Sequence, residues 1–186
     1  MLTVAIIGAG PLGRWLALSA ARAGFRVLLE DVMPANLRHA REALRQSIDP
    51  AVLEQHEGPG GVSFVGTVED AVRNADLAID CVPDELESKL EIFCLLDRMA
   101  PPRTVLATPT TRLSIADLAA CTYRADKCVA IAAEAADLAD AHTVTNVARS
   151  IVIRTTALTS PSTLGLICTF WRGLAIEPLF EPDPLA

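Results

Sequence analysis

The chain has 186 residues, enough to bury one sizeable core, with a formal net charge of −7 and a pI near 4.9. That balance and the lack of a concentrated basic patch argue against a nucleic-acid partner. The chain is 51% hydrophobic with a mean hydropathy of +0.35. No apolar run approaches the ~20 residues that span a bilayer, and no leader pattern precedes the first strand, so a cytoplasmic protein is expected.

Thr3 to Asp31 is the most informative stretch, TVAIIGAGPLGRWLALSAARAGFRVLLED. Val4 to Ile7 reads as a buried strand. Gly8, Gly10 and Gly13 follow in G-x-G-x-x-G spacing, and a helix pattern runs from about Leu12 to Ala23, stopped at Gly24. Val27 to Leu29 is a second strand, ending at Glu30-Asp31. Gly8 permits the sharp turn, Gly10 lets a pyrophosphate approach the backbone, and Gly13 lets helix and strand pack closely. The helix N-terminus offers free N–H groups and partial positive charge to phosphates. Asp31, 23 positions after Gly8, is placed to accept from a ribose 2′-hydroxyl. A carboxylate there repels a 2′-phosphate, and Val32, Met33 and Pro34 bring no arginine, so NAD is expected over NADP. Strand alternation turns Glu30 to the opposite face, where it reads as a solvated strand end. The arginines of the first third, Arg22 to Arg45, read as a solvated helix face. Arg14, in the first turn after the glycines, is the one placed to help an anion.

Further along, Pro34 to about Ser47 reads as a helix. Breakers at Pro50 and Gly58-Pro59-Gly60-Gly61 lead to a strand at Val62 to Val65 and a short helix at Val68 to Arg73. Leu77 to Val82 is a buried strand ending at Pro83. Glu85 to Met99 is amphipathic, with an expected core stripe of Leu86, Leu90, Phe93 and Leu96 and with Glu87, Glu91 and Arg98 outward. Thr104 to Thr108 is a strand, Ser114 to Ala120 a helix that Ser114 can cap, and Cys128 to Ala133 another strand. Glu134 to Thr145 is ambiguous. Ser150 to Thr155 is a strand, Ser162 to Gly173 a helix, and Leu174 to Phe180 an extended segment. This alternation predicts an α/β protein with a mostly parallel sheet and helices on both faces. The five cysteines, Cys81, Cys94, Cys121, Cys128 and Cys168, form no C-x-x-C pair and read as reduced core thiols, and no metal site is expected.

The order GAGPLG, VLLED, ADLAIDCVPDELESKLEIFCLLD, VLATPTTRLSIADLA and TSPS resembles the N-terminal NAD-binding domain of the 3-hydroxyacyl-CoA dehydrogenases over nearly the whole chain. The resemblance implies a Rossmann-like, doubly wound domain, NAD as cofactor and a 3-hydroxyacyl-CoA as substrate. Cofactor contacts are then expected at Gly8, Gly10, Pro11, Leu12, Gly13, Asp31, Pro83, Asp84, Lys89 and Thr108. Lys89 has an alternative reading as a solvated helix lysine. The family's catalytic serine falls in Pro109-Thr110-Thr111-Arg112-Leu113, where Thr111 keeps a hydroxyl; a turn or cap role is the plainer reading of both threonines.

The family's general-base histidine and its asparagine fall at Ala132 and Ala135. The glutamate that orients the histidine falls at Val152, or at Asn146 with a gap. Neither set supplies a base. His142, near Glu134, Asp137 and Asp140, is the one histidine placed to act as a relocated base; His39 and His56 are expected far from the nicotinamide end. The domain is expected over 1–180 with a tail over 181–186, the family's helical C-terminal domain being absent. Three functions stay open: an NAD-binding protein with little or no dehydrogenase activity, an active oxidoreductase on a small hydroxy, carbonyl or hydroxyacyl-CoA substrate, and a scaffold subunit. The apolar run through Leu164, Leu166, Ile167, Phe170, Trp171 and Leu174 suggests a homo-oligomer or a docked subunit at 162–180.

Overall fold

The computed structural model describes residues 1–53, 58–133 and 150–185. Eight strands form one sheet in the order β3-β2-β1-β4-β5-β6-β7-β8. They are β1 Thr3–Ile7, β2 Arg26–Glu30, β3 Val62–Val65, β4 Leu77–Asp80, β5 Val105–Pro109, β6 Cys128–Ile131, β7 Ser150–Thr155 and β8 Glu177–Pro182. Pairing is parallel from β3 through to β6; β7 then runs antiparallel to β6, and β8 parallel to β7. This is the doubly wound, mostly parallel arrangement expected, with the order reversing between β1 and β4. A ligand crevice belongs outside the carboxyl ends of the strands at that reversal.

Each face of the sheet carries its own core. Val4, Ile6, Val27, Leu29, Leu77 and Ile79 meet helices α1 (Pro11–Arg22) and α2 (Pro34–Arg45) and the last helix, α7 (Pro161–Gly173). Ala5, Ile7, Leu28, Ala78, Leu106 and Ala130 meet α4 (Val68–Val72), α5 (Leu86–Met99) and α6 (Ile115–Ala120). The period of two along each strand makes this division, because successive side chains leave opposite faces. A one-turn helix α3 (Pro50–Leu53) starts at the proline that reads as a break, since proline suits a first helical turn.

Three expectations change. The buried stripe of α5 is Lys89, Ile92, Phe93 and Leu96, whereas Leu86 is 49% exposed. A lysine occupies the inward position because a carboxylate awaits it there. The last helix is no free apolar surface: Ile167, Phe170 and Trp171 are buried, with Phe170 edge-on to Trp171 at 5.2 Å and against Phe25 at 5.7 Å. What stays exposed in 162–180 is Leu179 and Phe180 on the edge strand β8. The segment from residue 181 continues β8 through Pro182, and Asp183 is buried. Its Oδ2 accepts from Ile115 N at 2.8 Å and from Ser114 Oγ at 3.1 Å. Ser114 caps α6 as expected, its Oγ accepting from Asp117 N.

Candidate functional site

The glycine turn is built by contact limits. Gly8 adopts φ +104, and its N–H donates to Glu30 O at 2.8 Å, stitching the end of β1 to the end of β2. A Cβ on Gly13 would lie 1.8 Å from Gly8 O, so no other residue fits there. Gly10 is the opposite case: a Cβ there meets nothing within 4 Å, because the position faces open space at the start of α1. That helix has no side-chain cap and no acid in its first turn, so its N-terminal donors stay available to an anion. Pro11 fills the first helical position, and Leu12 behind it is buried in the core. Arg14 folds back to donate to Ala9 O at 3.3 Å.

Asp31 is the hub of the cleft. Its Oδ2 accepts from Ala9 N at 2.9 Å, its Oδ1 from Met33 N at 2.8 Å, and the Asn36 amide donates to both oxygens at 3.1 and 3.0 Å. The carboxylate therefore fixes the glycine turn as well as facing the cleft. Gly8, Gly10, Asp31, Val32, Asn36 and Pro83 line a cleft of about 410 Å³. A neighbouring cavity of about 680 Å³ continues between α4 and α5 and shares Glu30, Val32, Val68, Val82, Pro83 and Ile92 with it. Glu30 is not a solvated strand end. It is 5% exposed, and burial, with the Asp31 charge second, pushes its carboxyl up to about 7. The reason is the alternation itself: Glu30 shares a face with Leu28, and that face is covered by α4 and α5.

Beneath the cleft lies a wholly enclosed triad that the sequence reading did not assemble. Lys89 Nζ sits 3.2 Å from Asp80 Oδ1 and donates to Thr108 Oγ1 at 2.8 Å, while Thr108 donates to Asp80 Oδ2. Lys89 is not the solvated lysine of the alternative reading. Burial pushes the Asp80 carboxyl up, against the pull of the Lys89 ammonium and the Thr108 hydroxyl. Asp80 N-terminal to Cys81 was a legible signal, an acid inside the apolar run LAIDCV. Lys89 and Thr108 thus lie under the rim, whereas Pro83 lines the cleft itself. Asp84 is held by Arg112, whose guanidinium stands 3.8 Å from Oδ2 and donates to the Asp84 carbonyl at 2.9 Å. Asp84 Oδ1 is buried with no hydrogen-bond partner.

At the other end of the strand edge, Thr110 is a turn residue: its Oγ1 accepts from Leu113 N at 3.0 Å. Thr111 is half-buried in the same turn, its carbonyl accepting from Arg154. Ala132 follows β6 and donates its N–H to Val152 O at 2.9 Å, so the antiparallel register sets Ala132 opposite Val152. His142, Glu134, Asp137, Asp140, Ala135, Asn146 and His56 lie outside the described residues. Among the described residues no cluster of metal-ligand type occurs, no helix is long and apolar enough to cross a membrane, and all five cysteines are free thiols.

The family model described as "3-hydroxyacyl-CoA dehydrogenase, NAD binding domain" matches residues 3–132. A probable 3-hydroxybutyryl-CoA dehydrogenase of Bacillus subtilis (strain 168) is 32% identical over 133 residues, 68% of this chain and 46% of that protein. The 5-formyl-3-hydroxy-2-methylpyridine 4-carboxylate 5-dehydrogenase of Mesorhizobium japonicum is 34% identical over 123 residues, 63% of this chain and 39% of that one. A crystal structure of a 5-dehydrogenase acting on the same pyridine carboxylic acid, an NAD+ dependent dismutase, superposes with a TM-score of 0.79 at 27% identity, over 98% of this chain and 59% of that one. The chain spans less than half the length of these two curated relatives.

Proposed function

Because the chain belongs to the NAD-binding domain family of the 3-hydroxyacyl-CoA dehydrogenases, we propose that it holds NAD(H) on the Gly8–Asp31 cradle and supports little or no dehydrogenation by itself. The residues present fit the dinucleotide. Gly10 leaves the N-terminus of α1 open, no acid stands in its first turn, and Asp31 offers two carboxylate oxygens at the ribose end. The N–H groups at the start of α1 bind the pyrophosphate, and Asp31 accepts from the ribose hydroxyls as Asn36 turns aside. Pro83 and Val82 wall the base, and the buried Asp80–Lys89–Thr108 triad holds that wall in position. Asp84, with its orphaned Oδ1, is the acceptor nearest the start of α5 for a donor on the nicotinamide side. NAD, when bound, supplies a hydride acceptor.

The carrying observation is the Ala132–Val152 pairing. In the family the resemblance names, a histidine stands at the first position and its orienting glutamate at the second. Removing a hydroxyl proton as hydride leaves calls for a positioned base, and neither alanine nor valine provides one. Thr111 can orient a substrate oxygen but has no basicity to draw its proton. Oxidation of a 3-hydroxyacyl-CoA by NAD, and reduction of the matching 3-ketoacyl-CoA by NADH, are therefore weak where binding of the dinucleotide is intact. Fluorescence titration with NADH and NADPH, followed by an assay of a short 3-hydroxyacyl-CoA with NAD, tests both halves. Tight NADH binding with negligible turnover is the expected result. Equal affinity for NADPH overturns the cofactor half, and turnover at the level of an ordinary dehydrogenase overturns the other.

A further inference from the structure

We propose that Glu30 reads the edge of the adenine base, forming a paired hydrogen bond with the exocyclic amine and an adjacent ring nitrogen. This rests on NAD(H) occupying the cleft. A ribose at Asp31 directs its base toward Val32, Val82 and Pro83, apolar members of the same cleft wall. Glu30 lines both this cleft and the neighbouring cavity. Glu30 is only 5% exposed, and its side chain stands in the wall of both cavities. A carboxyl in a cavity wall can take its hydrogen-bond partner from a ligand that fills the cavity.

The surroundings decide which form of the acid acts. Its strand neighbours in register are Ile7 on β1 and Val65 on β3, neither titratable. The charged groups around it are Asp31, the residue after β2, Glu69 on α4 and Glu91 on α5, and among the described residues no basic side chain lines either cavity. Burial, with the Asp31 charge second, favours the neutral acid, with the midpoint about 7. A neutral carboxyl matches adenine: its O–H donates to the ring nitrogen and its carbonyl oxygen accepts from the amine. An ionised carboxylate still accepts from the amine but meets the lone pair of the ring nitrogen. Affinity is thus complete below the midpoint and falls as pH rises through it.

The test is calorimetric titration of the full chain with NADH at pH 6.5 and 8.5, in wild type and Glu30→Gln. The glutamine amide has the same donor and acceptor as the neutral acid and does not titrate. For a base that binds only the neutral form, wild-type affinity falls about 25-fold between the two pH values. The Glu30→Gln protein gives the same affinity at both, close to the wild-type value at pH 6.5. As a second readout, the 1,N6-etheno analogue of NAD, whose amine and adjacent nitrogen are tied up, binds wild type more weakly than NAD does. Glu30→Ala binds the two equally. A flat wild-type profile, an unchanged slope in Glu30→Gln, or equal binding of the analogue by wild type overturns the role of Glu30 while leaving NAD binding in place. Absence of NADH binding at both pH values is a different result, and overturns the cofactor reading as well.

Discussion

The carboxyl edge of this sheet has two ends that are built differently. At the β1–β2 end, function rests on backbone: a turn that admits no Cβ at Gly13, an open helix N-terminus, and a carboxylate tied to the turn it serves. At the β6–β7 end, the strands pair in good register, but the paired positions carry Ala132 and Val152. Binding a dinucleotide needs the shape of the chain, and the shape is intact. Proton transfer needs one particular side chain, and a fold can be complete without it.

The sharpest way to break that contrast is catalytic. A general base contributes about 10²–10⁴-fold, so turnover of 3-hydroxybutyryl-CoA with saturating NAD is expected to fall below that of ordinary family members by about that factor. Ala132→His with Val152→Glu tests the register directly, since the pair faces across two strands. A gain in turnover with unchanged NADH affinity is expected, and a wild type already fully active refutes the contrast. If it is fully active, His142→Ala shows whether a relocated base does the work.

The buried triad comes next. Lys89→Met leaves Asp80 enclosed without its cation, which costs about 3–5 kcal/mol in buried pairs. Urea unfolding measures it. The double variant Asp80→Leu with Lys89→Met removes both charges and is expected to recover much of the loss. Equal loss in single and double variants would mean that packing, not charge, holds this wall.

Most of the nucleotide end was legible because its signals are local. Glycine spacing, a terminal acid and a proline at the helix start all fall within 31 residues. The triad was not legible as a unit, because Asp80, Lys89 and Thr108 meet only once β4, α5 and β5 are packed. Amphipathic spacing misled at Leu86 and Lys89, since a lysine with a buried partner counts as a core residue that no hydropathy pattern marks. Glu30 was misjudged for a related reason. Alternation placed it correctly on the face opposite Asp31, but whether that face is covered depends on α4 and α5, far along the chain. The last helix shows the same limit: its apolar breadth reads as surface in the sequence, whereas Ile167, Phe170 and Trp171 are packed in the chain's own core, against Phe25 among others.

Asp31 tests the nucleotide end by itself. Hydrogen bonds to charged groups contribute about 1.5–3 kcal/mol, so Asp31→Ala is expected to weaken NADH by about 10–100-fold. The same change removes the charge that repels a 2′-phosphate, so the preference for NADH over NADPH should narrow. Because Asp31 also fixes Ala9 N, the melting temperature is measured alongside. Lost affinity in a variant that melts like wild type assigns the effect to the ligand. An unchanged NADH to NADPH ratio removes Asp31 from the choice of cofactor.

The smallest effect concerns how the two ends are joined through the sheet's far edge. Asp183 follows β8, yet its Oδ2 reaches Ile115 N and Ser114 Oγ at the start of α6, while its Oδ1 accepts from Leu185 N. Ser114 in turn accepts from Asp117 N, so one carboxylate and one hydroxyl together satisfy the opening donors of this helix. Loss of a helix-capping group costs about 1 kcal/mol. Asp183→Ala is expected to lower stability by about that amount and leave NADH affinity within twofold, because α6 touches neither cavity of the cleft. Ser114→Ala should cost about the same, and the double variant less than the sum, since each group supports the other's position. Denaturant midpoints of the three variants decide it: full additivity separates the two groups, and a large loss of NADH affinity would mean that the β7–β8 edge reaches the nucleotide cradle after all.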